Sequence, residues 1–314
     1  MPIETRNRDH GGGIDAACLR FGGARHDWLD LSTGINPLPY PVYEFPSDAW
    51  TSLPDRAAQT RLIDAARQFW DVPEGFDILP VHGASAAIAA LPRVLPGQNV
   101  HIPAPTYNEH AAAFDAARWS PAERDADVQV IVHPNNPDGR LWRRDEASAP
   151  FTVVDESFCD VAPGKSLLPH LNPADGLVLK SFGKFWGLAG LRLGFVIAAP
   201  DIIGAMADAT GPWSVSGPAL DIGARALSDL DWATSTRARL TRDATRLDRL
   251  MAKSGAELAG GTSLFRLYAV DDAATWQERL ARAHVWSRIF PYSKTWLRLG
   301  LPAPDRWEQL EAAL

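Results

Sequence analysis

The stretch Leu179-Lys180-Ser181-Phe182-Gly183-Lys184-Phe185-Trp186-Gly187-Leu188-Ala189-Gly190-Leu191-Arg192-Leu193-Gly194 sets a hydroxyl, a lysine and an arginine among several glycines. Lysine is scarce in this chain, occurring only as Lys165, Lys180, Lys184, Lys253 and Lys294; most of the positive charge is arginine. An amine can form a Schiff base with a carbonyl, and a guanidinium cannot usefully do so. Alone, the stretch reads as a Gly-rich turn with a solvated lysine, or as a lysine carrying pyridoxal phosphate with Ser181 and Arg192 on its phosphate.

Four other short segments bear on that choice. His82-Gly83-Ala84-Ser85 opens a helix with small residues, which suits either a phosphate on the first amides or a Ser85 N-cap. Tyr107, after Pro103-Ala104-Pro105-Thr106, can stack on a flat heteroaromatic ring or serve as a rim residue. His133-Pro134-Asn135-Asn136-Pro137-Asp138-Gly139 has turn chemistry, and Asn136 can donate its amide to a ring phenolate oxygen. Asp155 ends the apolar run Phe151–Val154, where a carboxylate is costly unless paired; a pyridinium N–H is a fitting partner, and a turn cap is the alternative.

Positioning these residues requires strands that all end near one point. Apolar runs at Phe76–Val81, Asn99–Ile102, Val128–Val132, Phe151–Val154, Leu177–Leu179 and Leu193–Ala198 predict strands. Helical periodicity is expected over Arg56–Trp70, Ser85–Leu95, Asn108–Trp119 and Ile202–Ala209, then over a long amphipathic Thr234–Lys253. Such alternation implies an α/β fold, a mostly parallel sheet covered on both faces with ligands at the strands' carboxyl ends. A smaller α/β unit follows, with strands at Leu264–Ala269, Trp286–Phe290 and Thr295–Leu299 and helices at Ala273–Ala283 and Asp305–Ala313. The expected division is an N-terminal arm (1–45, with little regular pattern), a large domain (46–230) and a small C-terminal domain (231–314). All five segments fall at predicted strand ends, and that agreement favours the cofactor reading.

The totals bound the alternatives. A chain of 314 residues that is 46% hydrophobic and 22% charged can bury a large core. Its net charge of −7 argues against a nucleic-acid surface. Cys18 and Cys159 are far apart and suggest neither a disulfide framework nor a zinc site. Met1–His10 lacks an apolar signal core and no run reaches membrane-spanning length, so a cytoplasmic protein without membrane partners is expected. Gly164-Lys165-Ser166 lacks the first glycine of a phosphate-binding loop, since Cys159 stands there. His101, His110 and His133 read as neutral surface or packing histidines, and no metal is expected.

Taken together, Asn136-Pro137, Asp155 after an apolar strand, and Ser181-x-x-Lys184 with Arg192 resemble the fold-type-I, class I/II aminotransferase-like pyridoxal phosphate enzymes. Within them the chain is similar to the threonine-phosphate decarboxylases of cobalamin biosynthesis, relatives of histidinol-phosphate aminotransferases. The markers are His10-Gly11-Gly12, Asp30-Leu31-Ser32-Thr33-Gly34-Ile35-Asn36-Pro37, Pro105-Thr106-Tyr107-Asn108-Glu109-His110, Gly211-Pro212-Trp213-Ser214-Val215-Ser216-Gly217-Pro218 and Trp296-Leu297-Arg298-Leu299-Gly300-Leu301-Pro302.

By position, the resemblance implies Lys184 as the Schiff-base lysine, Asp155 on the pyridine nitrogen, Asn136 on O3′ and Tyr107 on the ring face. It implies Ser181, Arg192 and the Ala84 and Ser85 amides on the cofactor phosphate. Arg298 would grip the substrate carboxylate and Arg288 its phosphate, with His10, Gly11 and Asn36 in an arm that closes over the substrate. The implied reaction is decarboxylation of L-threonine O-3-phosphate to (R)-1-aminopropan-2-yl phosphate, the aminopropanol arm of cobalamin, in a homodimer.

An aminotransferase acting on histidinol phosphate or a related phosphorylated amine is the alternative, and a non-catalytic binding protein a more distant one. Two departures stand out. Phe158 takes the place of a tyrosine that contacts O3′ in many relatives. Leu53-Pro54-Asp55 replaces a Tyr-Pro-Asp whose tyrosine reaches the partner subunit's cofactor phosphate.

Overall fold

The computed structural model describes residues 9–42, 44 and 46–314. Residues 1–8 of the polar N-terminal stretch, and Tyr43 and Phe45 of the expected arm, lie outside the described residues. The chain forms two compact units, one spanning Leu38–Arg239 and the other combining the residues up to Pro37 with Leu240–Leu314.

The segment before Pro37 is more regular than its punctuation suggests. It contains helix α1 (Ile14–Phe21) and a short strand β1 (Leu29–Asp30). Ile14, Ala17, Cys18 and Phe21 recur at helical spacing, and together they pack with Trp28, Ala281 and Trp286.

Leu38–Arg239 begins with α2 (Asp48–Thr51) and α3 (Arg56–Phe69). Asp55 caps α3 by accepting from the Ala58 amide at 3.0 Å, so Leu53-Pro54-Asp55 is in part a helix start. The chain then lays down β2 (Asp77–Val81), α4 (Ala84–Val94), β3 (Asn99–His101), α5 (Asn108–Ala116), β4 (Ser120–Pro121), β5 (Val128–Val132), β6 (Phe151–Asp155), β7 (Gly176–Ser181) and β8 (Gly194–Ala198). These seven strands form one sheet in the order β2-β8-β7-β6-β5-β3-β4. Every residue of β5, β6 and β8 is buried, as expected of strands covered on both faces.

From β7 to β4 the pairings are parallel, whereas β8 runs antiparallel to both β7 and β2. The loop from β7 to β8 carries Lys184 and Arg192 and returns the chain antiparallel beside β7. Ala87, Ile88, Ala90 and Leu91 of α4 meet Val128, Val130, Val153, Leu177, Leu179 and Val196 in one core. Beyond β8 come α6 (Pro200–Thr210), α7 (Gly217–Ser228) and the long α8 (Leu230–Lys253). Helix α7, absent from the predicted elements, is opened by Ser216 and packs against α3.

The second unit continues with β9 (Glu257–Gly261), β10 (Phe265–Ala269), α9 (Ala273–Arg282), β11 (Val285–Trp286), β12 (Arg288–Phe290), β13 (Ser293–Gly300) and α10 (Trp307–Ala313). Its antiparallel sheet runs β12-β13-β10-β9, and β11 pairs in parallel with β1. A tight hairpin joins β12 to β13, with Phe290 opposite Ser293 and Arg288 directly opposite Arg298.

Candidate active site

In the Leu38–Arg239 unit, the turns after β2, β5, β6 and β7 converge on one pocket enclosing about 610 Å³ of empty space, part of it open to solvent. All eight residues expected from the sequence to hold a cofactor line it: Ala84, Ser85, Tyr107, Asn136, Asp155, Ser181, Lys184 and Arg192. Phe158 lines it too, with its ring centroid 5.3 Å from the Lys184 amine. Phe158 is therefore an apolar wall beside that amine.

Asp155 is the last residue of β6 and only 2% exposed, so its charge needs partners. The Ser157 amide (3.0 Å) and hydroxyl both donate to Oδ1. His110 Nε2 lies 2.9 Å from Oδ2. Burial pushes the Asp155 carboxyl up, but the His110 contact and the two Ser157 hydrogen bonds outweigh it and hold the group below the ordinary carboxylate range.

The His110 ring is fully buried, and its Nδ1 has no hydrogen-bond partner among the described residues. Nε2 is the ring nitrogen that carries a hydrogen toward the Asp155 carboxylate, which can only accept. From its sequence alone, His110 is expected to be a packing or surface histidine. The missed signal is its three-residue spacing from Tyr107 at the start of α5, which places both rings on one helix face at 6.1 Å.

The end of the pocket formed by Ala84, Ser85 and Arg192 is made by close backbone approach. Gly83 has φ +76°, and a Cβ there would come within 2.5 Å of the Arg192 guanidinium. A Cβ on Gly194 would come within 2.4 Å of the Ala84 amide nitrogen. These two glycines let the start of α4, Arg192 and the edge of β8 meet. Arg192 itself adopts φ +55°, a left-handed conformation uncommon for a non-glycine residue, and its Nη1 donates to the Ala189 carbonyl at 2.9 Å. The Gly183 amide donates to Ser181 Oγ at 3.4 Å.

Beside the pocket lies a buried charge cluster that the sequence reading did not anticipate. Lys180 Nζ donates to Glu156 at 2.6 Å and lies 3.8 Å from Asp160. Glu156 also accepts from the Ser166 hydroxyl and the Leu167 amide, and Asp160 from the indoles of Trp70 and Trp186. Each member of the cluster is adjacent in sequence to a pocket residue, or nearly so: Glu156 to Asp155, Asp160 to Phe158, and Lys180 to Ser181.

His133, Glu156 and Cys159 bring ligand-type atoms within 4.8 Å of one another. Glu156 is already committed to Lys180, and burial pushes the Cys159 thiol up, away from thiolate. The Trp142 amide donates to His133 Nδ1, so Nε2 must carry the hydrogen that faces the Lys165 carbonyl. Burial holds this imidazole below its usual pKa.

The remaining expected residues belong to the other unit. Arg298 is 5% exposed and donates to the Ser32 carbonyl at 2.6 Å. Burial and the neighbouring Arg288 charge lower its pKa to about 10, which leaves it cationic at neutral pH. Arg288 donates to the Asp9 carboxylate at 2.6 Å and to the His10 carbonyl. A Cβ on Gly11 would come within 2.5 Å of the Ser32 carbonyl, and the Gly12 amide donates to Ser32 Oγ at 2.6 Å. Asn36 is 2% exposed. Thus His10 and Gly11 stand with Arg288, Arg298 and Ser32.

Such an arrangement offers an amine for carbonyl chemistry, an ionised carboxylate, a phosphate cradle and, in the second unit, paired guanidiniums for anions. The family model "Aminotransferase class I and II" matches residues 120–314. A threonine-phosphate decarboxylase of Sinorhizobium sp is 42% identical, with 94% of this chain and 93% of that protein aligned. A threonine-phosphate decarboxylase of Pseudomonas aeruginosa is 37% identical over 98% of this chain and 97% of the relative. Among solved structures, the histidinol-phosphate aminotransferase of Sinorhizobium meliloti in complex with pyridoxal-5'-phosphate has a TM-score of 0.80 at 17% identity, covering 96% of this chain and 93% of that one. By the matched model and these near full-length relatives, the chain belongs to the aminotransferase class I and II family.

Proposed function

We propose that this protein is a pyridoxal phosphate-dependent decarboxylase that converts L-threonine O-3-phosphate to (R)-1-aminopropan-2-yl phosphate for cobalamin biosynthesis. The observation that carries the reading is its end-to-end likeness to two threonine-phosphate decarboxylases. The donor set of the pocket fits the cofactor, with an amine, an ionised carboxylate, an amide, an aromatic ring and a phosphate cradle around one cavity.

When bound, the cofactor supplies an electron sink for the pair left on Cα as the carboxylate departs. Lys184 would hold the cofactor covalently and afterwards return a proton to Cα. Asp155, kept ionised by His110 and Ser157, would hold the proton on the ring nitrogen. Asn136 would donate to the ring oxygen without help from a phenol, and Tyr107 would cover the ring face. Ser181, Arg192 and the Ala84 and Ser85 amides would take the phosphate. Arg298 is the residue proposed for the substrate carboxylate, Arg288 for the substrate phosphate, and His10, Gly11 and Asn36 for the arm.

Carbon dioxide release from threonine phosphate with no keto acid present tests this assignment. Amine loss seen only with 2-oxoglutarate would instead support an aminotransferase. Arg298→Lys removes a planar fork that can grip a carboxylate with two hydrogen bonds. Its KM for threonine phosphate should rise about 30-fold, corresponding to a loss of about 2 kcal/mol. His110→Phe strips a buried donor from Asp155, at a cost of about 1–3 kcal/mol. Turnover should fall roughly 10- to 100-fold, with a shifted pH profile, and His110→Gln should recover part of it.

A homodimer is proposed as well. Trp50 and Trp213 are 69% and 54% exposed, large apolar surfaces that a second copy would cover. Light scattering at twice the chain mass is the expected result. A cytoplasmic location is proposed, and no helix among the described residues is long and apolar enough to cross a membrane.

A further inference from the structure

We propose that Asp9 is a resident stand-in for the substrate's phosphate, a carboxylate that occupies Arg288 and must be displaced by a dianion before the substrate is held. The inference rests on the proposed role of Arg288 as the phosphate partner. Arg288 and Arg298 stand directly opposite each other across the β12–β13 ladder. Like charges in that relation destabilise a sheet unless an anion sits with them. Asp9 and Asp30 are the carboxylates acting on Arg298. Asp30 is committed elsewhere, accepting from the Ser32 amide at 2.9 Å and the Ser32 hydroxyl at 2.6 Å. Asp9 instead reaches a guanidinium directly, 2.6 Å from Arg288 Nη1.

The arm is built to deliver it there. Gly12 is held at both ends of its peptide, its amide on Ser32 Oγ and its carbonyl by the Trp286 indole at 2.8 Å. That anchor leaves Asp9 three residues upstream, over Arg288. The Arg288 side chain is 12% exposed and Asp9 41% exposed, so an anion from solvent can reach the pair and exchange with the carboxylate. A phosphate dianion brings roughly twice the charge and a third acceptor oxygen, and so it outcompetes the carboxylate. A neutral hydroxyl in the same place cannot. Asp9 thereby acts as a specificity-determining residue that favours phosphorylated over unphosphorylated substrates.

The test is calorimetric titration of the cofactor-loaded protein with inorganic phosphate. Asp9→Asn is expected to tighten phosphate binding about fivefold or more, Asp9→Glu to leave it near the native value, and Arg288→Gln added to Asp9→Asn to remove the gain. Asp15→Asn deletes the same charge from an exposed pair with Arg25 in the same unit, and should change binding by less than about twofold. Unchanged or weaker binding in Asp9→Asn overturns the inference. An equal gain in Asp15→Asn, or no response to Arg288→Gln, overturns it too. The titration needs no turnover, so a native protein that releases no carbon dioxide from threonine phosphate would sink the decarboxylase reading separately.

Discussion

Lys184→Ala protein, incubated with pyridoxal phosphate and reduced with borohydride, is expected to carry no covalently bound cofactor. The native chain should gain the cofactor mass on the peptide that contains Lys184. Lys184 is the lysine lining the pocket, and its amine faces the apolar ring of Phe158. Lys180, four residues earlier, is buried against Glu156 and cannot substitute for it. Turnover should fall by at least about 10²–10⁴-fold, the range for loss of a positioned proton-transfer group, with loss of the covalent link added to that. Cofactor mass found on another lysine, or none on the native chain, would remove the basis of the proposed mechanism.

The second large effect is on stability. Lys180→Met should cost about 3–5 kcal/mol in denaturant unfolding, because it strands a buried carboxylate. Burial disfavours the Lys180 charge, but Glu156 and Asp160 outweigh it and raise the amine above its ordinary range. Burial likewise disfavours the Glu156 charge, yet Lys180, Ser166 and the Leu167 amide hold that carboxyl below its ordinary range. Asp160 lies farther from the amine at 3.8 Å, and burial prevails there and raises it.

The signs follow from linkage. Because Lys180 is raised, its contribution is complete below its unfolded value of 10.5 and is lost as pH climbs through the folded one. Because Glu156 is depressed, its contribution is complete above 4.5 and is lost as pH falls through the folded value. The pair should therefore support the fold across that window, and the Lys180→Met deficit should narrow at acid pH as Glu156 protonates. Adding Glu156→Gln should restore much of the loss at neutral pH. A Lys180→Met protein as stable as the native chain would show that the cluster is not a stabilising element.

Much of this molecule was legible in the chain itself. Runs such as Val128–Val132 and Phe151–Val154 are short and mostly apolar, broken only by Gln129 and Thr152, a pattern expected of strands buried on both faces; the structure places them there. Residues following those runs have to emerge at the strand ends, so Asn136, Asp155, Ser181 and Lys184 could be grouped by position alone. The adjacent pocket residues Ala84 and Ser85 were likewise visible as a small-residue helix start.

What the chain did not disclose are contacts between segments distant in sequence and of ambiguous composition. His110 and Asp155 are 45 residues apart, and nothing local to a histidine on a short helix says which carboxylate it will meet. Lys180 and Glu156 each sit beside a recognisable residue, and their pairing depends on β6 and β7 lying side by side. The antiparallel return of β8 was not legible, because strand direction leaves no mark on an apolar run. Asp9 meets Arg288 across 279 positions, through an arm whose glycines carry no hydrophobic signal. Periodicity and strand ends are written locally because burial acts on each segment's own face. The partners that set charge at the site are chosen by packing, and only the tertiary structure decides which groups share a buried space.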